Sequence, residues 1–398
     1  MALIAAWLPV LGVPFREFLD FGAFYVAAQF AFTPDVVRLE PIVLAQEAAG
    51  LPISPYLYPP GFALLFVPLT WLPYPLAGTL NLAVMFGALL LAAILLARLY
   101  GLPRRLAIVG ALAWGPSAAS VLGGQNASLA LLLIAVAGLL LLRAESVGSL
   151  RANLVAGLTV AALVYKPQFV APVAGLAVLR GRWATVAVVA FGLIGHYLVG
   201  VLAAGGNWAW PSDWLATLRG YSAVDLATNG WQAISLPALL ARVEISPFTD
   251  ALPAGLQGLS LIGYGLAAVV IIVSMPAMRR MPLPRALALG VSWACWSCPT
   301  HGSTTPPCCC RRLQSWPPTP RGATGRGRTA GCSPRSTPVG CSGRWAAWSA
   351  SRCCVVVVFM PALLLGWDPL ASSATGAVRG SVLVQDLRQE LLGALLLG

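Results

Sequence analysis

The groups able to do chemistry in this chain are few, and they sit in short polar stretches between long apolar ones. The first such stretch, residues 16–60, carries Asp20, Asp35, Glu40 and Glu47 together with Tyr25, Tyr56 and Tyr58. A carboxylate there is a candidate general base if it reaches a substrate hydroxyl; the plainer reading of any one of these acids is a solvated loop charge. Lys166, in YKPQ (165–168), is the one lysine among 25 basic residues. An ammonium held there suits a phosphate, or else it is a lysine snorkelling to a membrane boundary. Gln125 and Asn126, in GGQN (123–126), either bind a sugar or phosphate or cap a helix starting near Ala127. In the stretch 207–235, Trp231 follows Asn229-Gly230 and could stack on a sugar ring, whereas Trp208, Trp210 and Trp214 read as interfacial anchors. His196 lies inside an apolar run and reads as a hydrogen-bonded packing residue. No metal motif and no cofactor are expected.

The elements that must position these groups are membrane helices. The chain is 58% hydrophobic and 10% charged, with a mean hydropathy of +0.80, outside the range of soluble domains. Apolar runs occur at 2–15, 76–98, 105–121, 126–142, 152–164, 169–179, 183–204, 258–278 and 283–293. The first is short for a crossing and lacks the basic flank of a signal peptide. The runs at 152–164 and 169–179, broken at Lys-Pro, resemble discontinuous helices, which membranes tolerate where they line a cavity.

Two kinds of connector alternate between these runs. One kind is rich in arginine: Arg98, Arg104 and Arg105; Arg143 and Arg151; Arg180 and Arg182; Arg279, Arg280 and Arg285. The other comprises GGQN, YKPQ and the loop at about 205–257. Strict alternation is what the positive-inside rule produces when each run crosses once. It requires GFALLFVPLTWLP (61–73), with its two prolines, to lie half-buried without crossing. Residues 16–60, GGQN, YKPQ and 205–257 are then expected to meet at the extracytoplasmic face. The net charge of +12 is thereby assigned to the membrane, and no nucleic-acid partner is expected.

DFGAFYVAA (20–28), YLYPPGFALLFVPLTWLP (56–73), GGQNASL (123–129) and YKPQF (165–169), in this order and interleaved with apolar runs, resemble glycosyltransferase family 87. The resemblance covers roughly residues 15 to 290. It implies an all-α polytopic membrane protein with a GT-C-like transmembrane helical bundle and outer-face loop helices. It also implies a multi-pass enzyme of a bacterial cytoplasmic membrane, its active site facing outward. Such an enzyme moves a sugar, commonly mannose, from a polyprenyl-phosphate donor to a lipid or glycan acceptor hydroxyl. By this resemblance Asp20 is the catalytic base; the candidates for donor or phosphate contact are Lys166, Gln125, Gln168 and Asn126, and for packing on sugar or acceptor Tyr58, Tyr56 and Trp231. A transporter or flippase of lipid-linked or small polar substrates is the competing class, since broken helices and a single buried cation occur there too. An inactive relative is a third.

Residues 294–353 break the pattern, leaving 1–293 as the glycosyltransferase-like domain and 354–398 as an apolar segment and tail. All nine cysteines fall within 295–354, among arginines, prolines and serines. Cys295, Cys298 and His301 hint at a metal, yet CCC at 308–310 and CC at 353–354 fit no four-ligand zinc spacing. Several arginines, each costing about 2.5–3.5 kcal/mol at a helix centre, exclude a simple span. If Cys is encoded TGC, displacement by two nucleotides turns the cysteine run into leucine codons. Residues 294–353 are therefore expected to be out of frame.

Overall fold

The computed structural model describes residues 19–229 and 259–297; the run at 2–15, Trp231 and the cysteine-rich stretch beyond Ser297 lie outside them. The chain forms α1 (Leu19–Gln29), a 3-10 turn (Pro34–Val37), α2 (Leu39–Ala48), α3 (Pro60–Ala63) running into a 3-10 segment (Leu64–Trp71), α4 (Tyr74–Tyr100), α5 (Arg104–Ala113), α6 (Gly115–Leu122) and α7 (Ala127–Val147). It continues through α8 (Leu150–Ala162) with a 3-10 end (Leu163–Tyr165), α9 (Pro167–Leu179), α10 (Trp183–Ala203), α11 (Trp210–Asn229), α12 (Leu259–Arg280) and α13 (Leu283–Ser297). It is an all-α membrane protein. Among the described residues three helices, α4, α7 and α10, are long and apolar enough to cross a bilayer.

Prolines cut the remaining apolar runs into shorter pieces. The run expected at 105–121 is two helices, because Trp114 is extended (φ −77°, ψ 108°) just before Gly115-Pro116, and proline offers no N–H to continue the ladder. Pro167 does the same at Lys166, which leaves the helical region (φ −126°, ψ 76°) so that Pro167 opens α9. The segment 61–73 is one α-helical turn and a 3-10 stretch, about 20 Å long at most. It packs on α1 and α10 and is too short to cross.

Connections alternate between two ends of the bundle. At one end, Arg182 donates to the Ala144 carbonyl, Arg180 stands 3.7 Å from Glu145, and the Tyr100 hydroxyl donates to the Pro284 carbonyl. At the other, Tyr165 reaches the backbone of Asn126. The pieces α8 and α9 are thus antiparallel, with Lys166 at their turn, and the arginine-rich connectors share the opposite end. Between the ends, large apolar side chains face outward: Leu76, Val84, Leu158, Phe191, Ile194, Ile272 and Val273 are all exposed. Such a surface matches a hydrocarbon solvent.

Helices approach closely where side chains are small. A Cβ on Gly157 of α8 would stand 2.8 Å from the Thr185 carbonyl oxygen and 2.6 Å from the Val188 Cβ. Close approach lets the buried Thr185 hydroxyl donate to Asn153 across α8 and α10, at 3.0 Å to its carbonyl. Packing of small residues with an interhelical hydrogen bond replaces the hydrophobic drive that lipid cannot supply. Gly157→Ala is expected to destabilise the bundle by about 1–3 kcal/mol. Gly175→Ala, with nothing within 4 Å of its added methyl, is expected to stay near wild type when both are unfolded by denaturing detergent.

Candidate functional site

Four polar stretches distant in sequence come together at the arginine-poor end. The Asp20 amide donates to the Gly123 carbonyl at 2.9 Å, which fastens the start of α1 to the GGQN turn. Gly124 takes φ +73°, and an added Cβ would stand 2.6 Å from the Phe21 Cβ and 3.0 Å from its backbone nitrogen. A side chain there would be both strained and in collision. GGQN is therefore a docking seat for α1 as well as the entry to α7.

Asp20 is buried, whereas Glu40 and Glu47 are exposed and Asp35 pairs with Arg38 at 3.2 Å on the surface. Its Oδ1 accepts a hydrogen bond from the Ser54 hydroxyl at 3.0 Å. Ser54 is held in turn by Gln46, which is fully buried: Gln46 Nε2 donates to the Ser54 carbonyl at 3.0 Å, and the Ser54 amide donates to Gln46 Oε1 at 3.1 Å. This two-way clamp ties the SPYLY stretch to α2 and aims one hydroxyl at one carboxylate oxygen. Sequence reasoning passed over Ser54 and Gln46, because a glutamine mimicking a strand partner has no local spacing signature.

Asn126 sits at the N-cap of α7, yet its side chain does not cap the helix. Instead Oδ1 accepts from the Tyr58 hydroxyl at 3.4 Å, the Asn126 carbonyl accepts from the Tyr165 hydroxyl at 3.3 Å, and Nδ2 is buried without a hydrogen-bond partner among the described residues. Buried amides are nearly always satisfied, so an unused donor beside polar neighbours is a place for a ligand oxygen or water. Gln125, Lys166 and Gln168, each within three residues of Asn126 or Tyr165 in the chain, are half-buried. Lys166 follows Tyr165 directly, and it is Tyr165 whose hydroxyl reaches the Asn126 backbone.

The floor is aromatic. Phe62 stacks on Tyr165 with centroids 4.3 Å apart and planes 6° from parallel, and Tyr58 stacks on Phe62 at 5.2 Å. Phe24 joins Tyr56, Tyr58, Phe62 and Phe66 in the same cluster. Tyr58 is half-buried and at the edge; Tyr56 is buried, its hydroxyl donating to the Pro59 carbonyl at 3.0 Å. Burial, and after it the neighbouring Tyr58, pushes the Tyr56 phenol well above the ordinary tyrosine value, so it stays a neutral donor.

The tryptophans divide differently from the sequence expectation. Trp208 is exposed, as an anchor would be, but Trp210 is core: its ring fills the space over Gly200 and its Nε1 donates to the Tyr197 carbonyl at 3.1 Å. Trp214 Nε1 reaches the Leu57 carbonyl at 3.2 Å, and the Thr217 hydroxyl the Val37 carbonyl at 2.8 Å, so α11 lies across the first loop. His196 packs edge-on against Trp210, and its Nε2 makes no hydrogen bond among the described residues, a correction to the hydrogen-bonded role. Among the described residues no group of three His, Cys, Asp or Glu stands close enough to hold a metal.

At one end this all-α membrane bundle gathers a buried carboxylate, an amide, a lysine and a cluster of aromatic rings. The profile of glycosyltransferase family 87 matches residues 56–298, more than half of the chain, and the chain belongs to that family. It is a membrane glycosyltransferase. The match takes in SPYLY from Tyr56 onward, GGQN and YKPQ; Asp20 and Ser54 stand outside it, and the Asp20 amide is linked to it through the Gly123 carbonyl. No curated protein and no solved structure matches the chain.

Gln46→Ala leaves the Ser54 amide and carbonyl buried and unpaired. A loss of about 1–3 kcal/mol in stability is expected, read by detergent unfolding, and Gln46→Glu is expected to recover only the half of the clamp that accepts from the Ser54 amide.

Proposed function

We propose that the chain transfers a sugar, mannose foremost, from a polyprenyl-phosphate donor to an acceptor hydroxyl, at the end where Asp20, Asn126 and Lys166 lie. The observation that carries this reading is the meeting of a buried, Ser54-aimed carboxylate with GGQN and YKPQ in a chain of this family. Asp20 accepts the proton of the acceptor hydroxyl as its oxygen attacks the anomeric carbon. The bond from that carbon to the phosphate oxygen breaks, and polyprenyl phosphate departs with the electron pair. A single displacement of this kind inverts the anomeric centre.

Lys166, with Gln125 and Gln168, receives the charge that builds on the phosphate. The unpartnered Asn126 Nδ2 supplies a further donor, and Tyr58 offers the half-buried ring against which a sugar packs. Tyr56 serves from behind, its ring 5.9 Å from that of Tyr58. Trp231 is kept as a sugar-packing residue on its sequence context alone. Arginine gathered at the opposite end supports an orientation with the site facing away from the cytoplasm, in a bacterial cytoplasmic membrane.

The family match ends at residue 298, where the cysteine-rich sequence begins. This supports the reading that residues 294–353 are out of frame and that the domain 1–293 continues, in the intact gene product, into further apolar helices. Resequencing codons 285–360 is expected to uncover an apolar continuation in another forward frame; its absence from all frames would sink that part of the proposal.

Asp20→Asn is expected to lower transfer of radiolabelled mannose from polyprenyl-phosphate-mannose by about 10²–10⁴-fold, with helicity by circular dichroism unchanged, in the frame-corrected protein. Full transfer by that variant would remove Asp20 as the base.

A further inference from the structure

At the arginine-rich end a second site is built on α12. This helix finishes on Arg279 and Arg280, both exposed. Beside them is a cleft of about 490 Å³ lined by Leu179, Met275, Pro276, Arg279 and Arg280. Its shape is fixed by Arg180, whose guanidinium donates to the Met278 carbonyl at 3.0 Å and to the Met281 carbonyl. Those carbonyls lie at and just beyond the end of α12, where the helix offers no partner. The charge of Arg180 is matched by Glu145 at 3.7 Å. Arg279 and Arg280 enter no ion pair among the described residues, so theirs is the charge the cleft presents.

An apolar track leads along α12 to these arginines. Ile262, Leu266, Val269 and Val273 are exposed, and their spacing of four, three and four continues by three to Pro276 and by four to Arg280, which is one face of a helix. From Val269 to Arg280 the helix rises about 16 Å. That is about half of a ~30 Å hydrocarbon core, the depth of one leaflet.

We propose that this cleft binds one anionic membrane phospholipid, its phosphate on Arg279 and Arg280 and an acyl chain along the Val269–Val273–Pro276 track. Charge complementarity selects it: a zwitterionic lipid brings a cation against two guanidiniums, and a soluble phosphate leaves Leu179 and Met275 uncovered. The inference is independent of glycosyl transfer, because the cleft and the Asp20–Asn126 site are at opposite ends of the bundle.

The test uses the full chain in phosphatidylcholine nanodiscs containing a minor fraction of phosphatidylglycerol, with retained lipids counted by native mass spectrometry. One phosphatidylglycerol is expected to stay bound to the wild type and to bind at least about tenfold more weakly to Arg279→Gln/Arg280→Gln. Arg98→Gln/Arg105→Gln, which removes equal charge from the same end, is expected to retain it. The single variants Arg279→Gln and Arg280→Gln carry the test should the double one misfold. Equal retention by the double variant, equal loss in the Arg98/Arg105 variant, equal retention of phosphatidylcholine, preference for polyprenyl phosphate, or displacement by glycerol phosphate would each overturn the proposal.

Discussion

The site end of this protein depends on how closely α1 can approach the GGQN turn. The Asp20 amide donates to the Gly123 carbonyl, and Gly124 presses against the Phe21 backbone with no room for a Cβ. That contact sets the depth of α1, hence the position of the Asp20 carboxylate. It also sets the start of α7, hence Asn126. The backbone group of one candidate residue is thus a structural partner of the turn that bears two others. Holding α1 away from the turn without admitting water would leave the Asp20 amide and Gly123 carbonyl unpaired beside aromatic rings, at the cost of a buried unsatisfied pair.

Around this contact the fold spends its polar groups economically. Gln46 satisfies the Ser54 backbone so that the Ser54 hydroxyl is left for Asp20. Tyr165 anchors on the Asn126 backbone so that the Asn126 side chain is left for Tyr58 and one further partner. The aromatic cluster beside them is apolar, and a low-dielectric surface of that kind strengthens electrostatic interactions next to it. At the far end the arrangement is different in kind: Arg180 closes the end of α12 and pairs with Glu145, a structural use of charge that leaves Arg279 and Arg280 to the membrane.

Much of this was legible in the residues, for identifiable reasons. Alternation of arginine-rich and arginine-poor connectors follows from the membrane, and it ordered the helices and brought residues 19–60, GGQN and YKPQ to one end. Lys166-Pro167 announced its break because proline restricts the residue before it. At Trp114–Pro116 the break goes with the missing proline N–H, and the run 105–121 reads as one apolar helix because hydropathy does not register that loss. Trp210 was read as an anchor from its type, but Gly200, ten residues earlier and on another helix, makes the hole that its ring fills. Ser54 and Gln46 were missed for the same reason: their roles come from tertiary pairing, which leaves no periodicity in the chain. Family 87 was legible in GGQN, YKPQ and the Tyr-Pro-rich stretch, which are turns that the chain cannot build from other residues without losing Gly124, Pro167 or the Tyr58–Phe62 stack.

The central claim is that the end holding Asp20, Asn126 and Lys166 receives the donor. A photoreactive benzophenone amino acid in place of Tyr58, irradiated with tritiated polyprenyl-phosphate-mannose, tests it most directly, with the same probe in place of Arg280 as the comparison. The account predicts labelling from the Tyr58 position that unlabelled donor suppresses, and no such labelling from the Arg280 position. Suppressible labelling from Arg280 alone would contradict it.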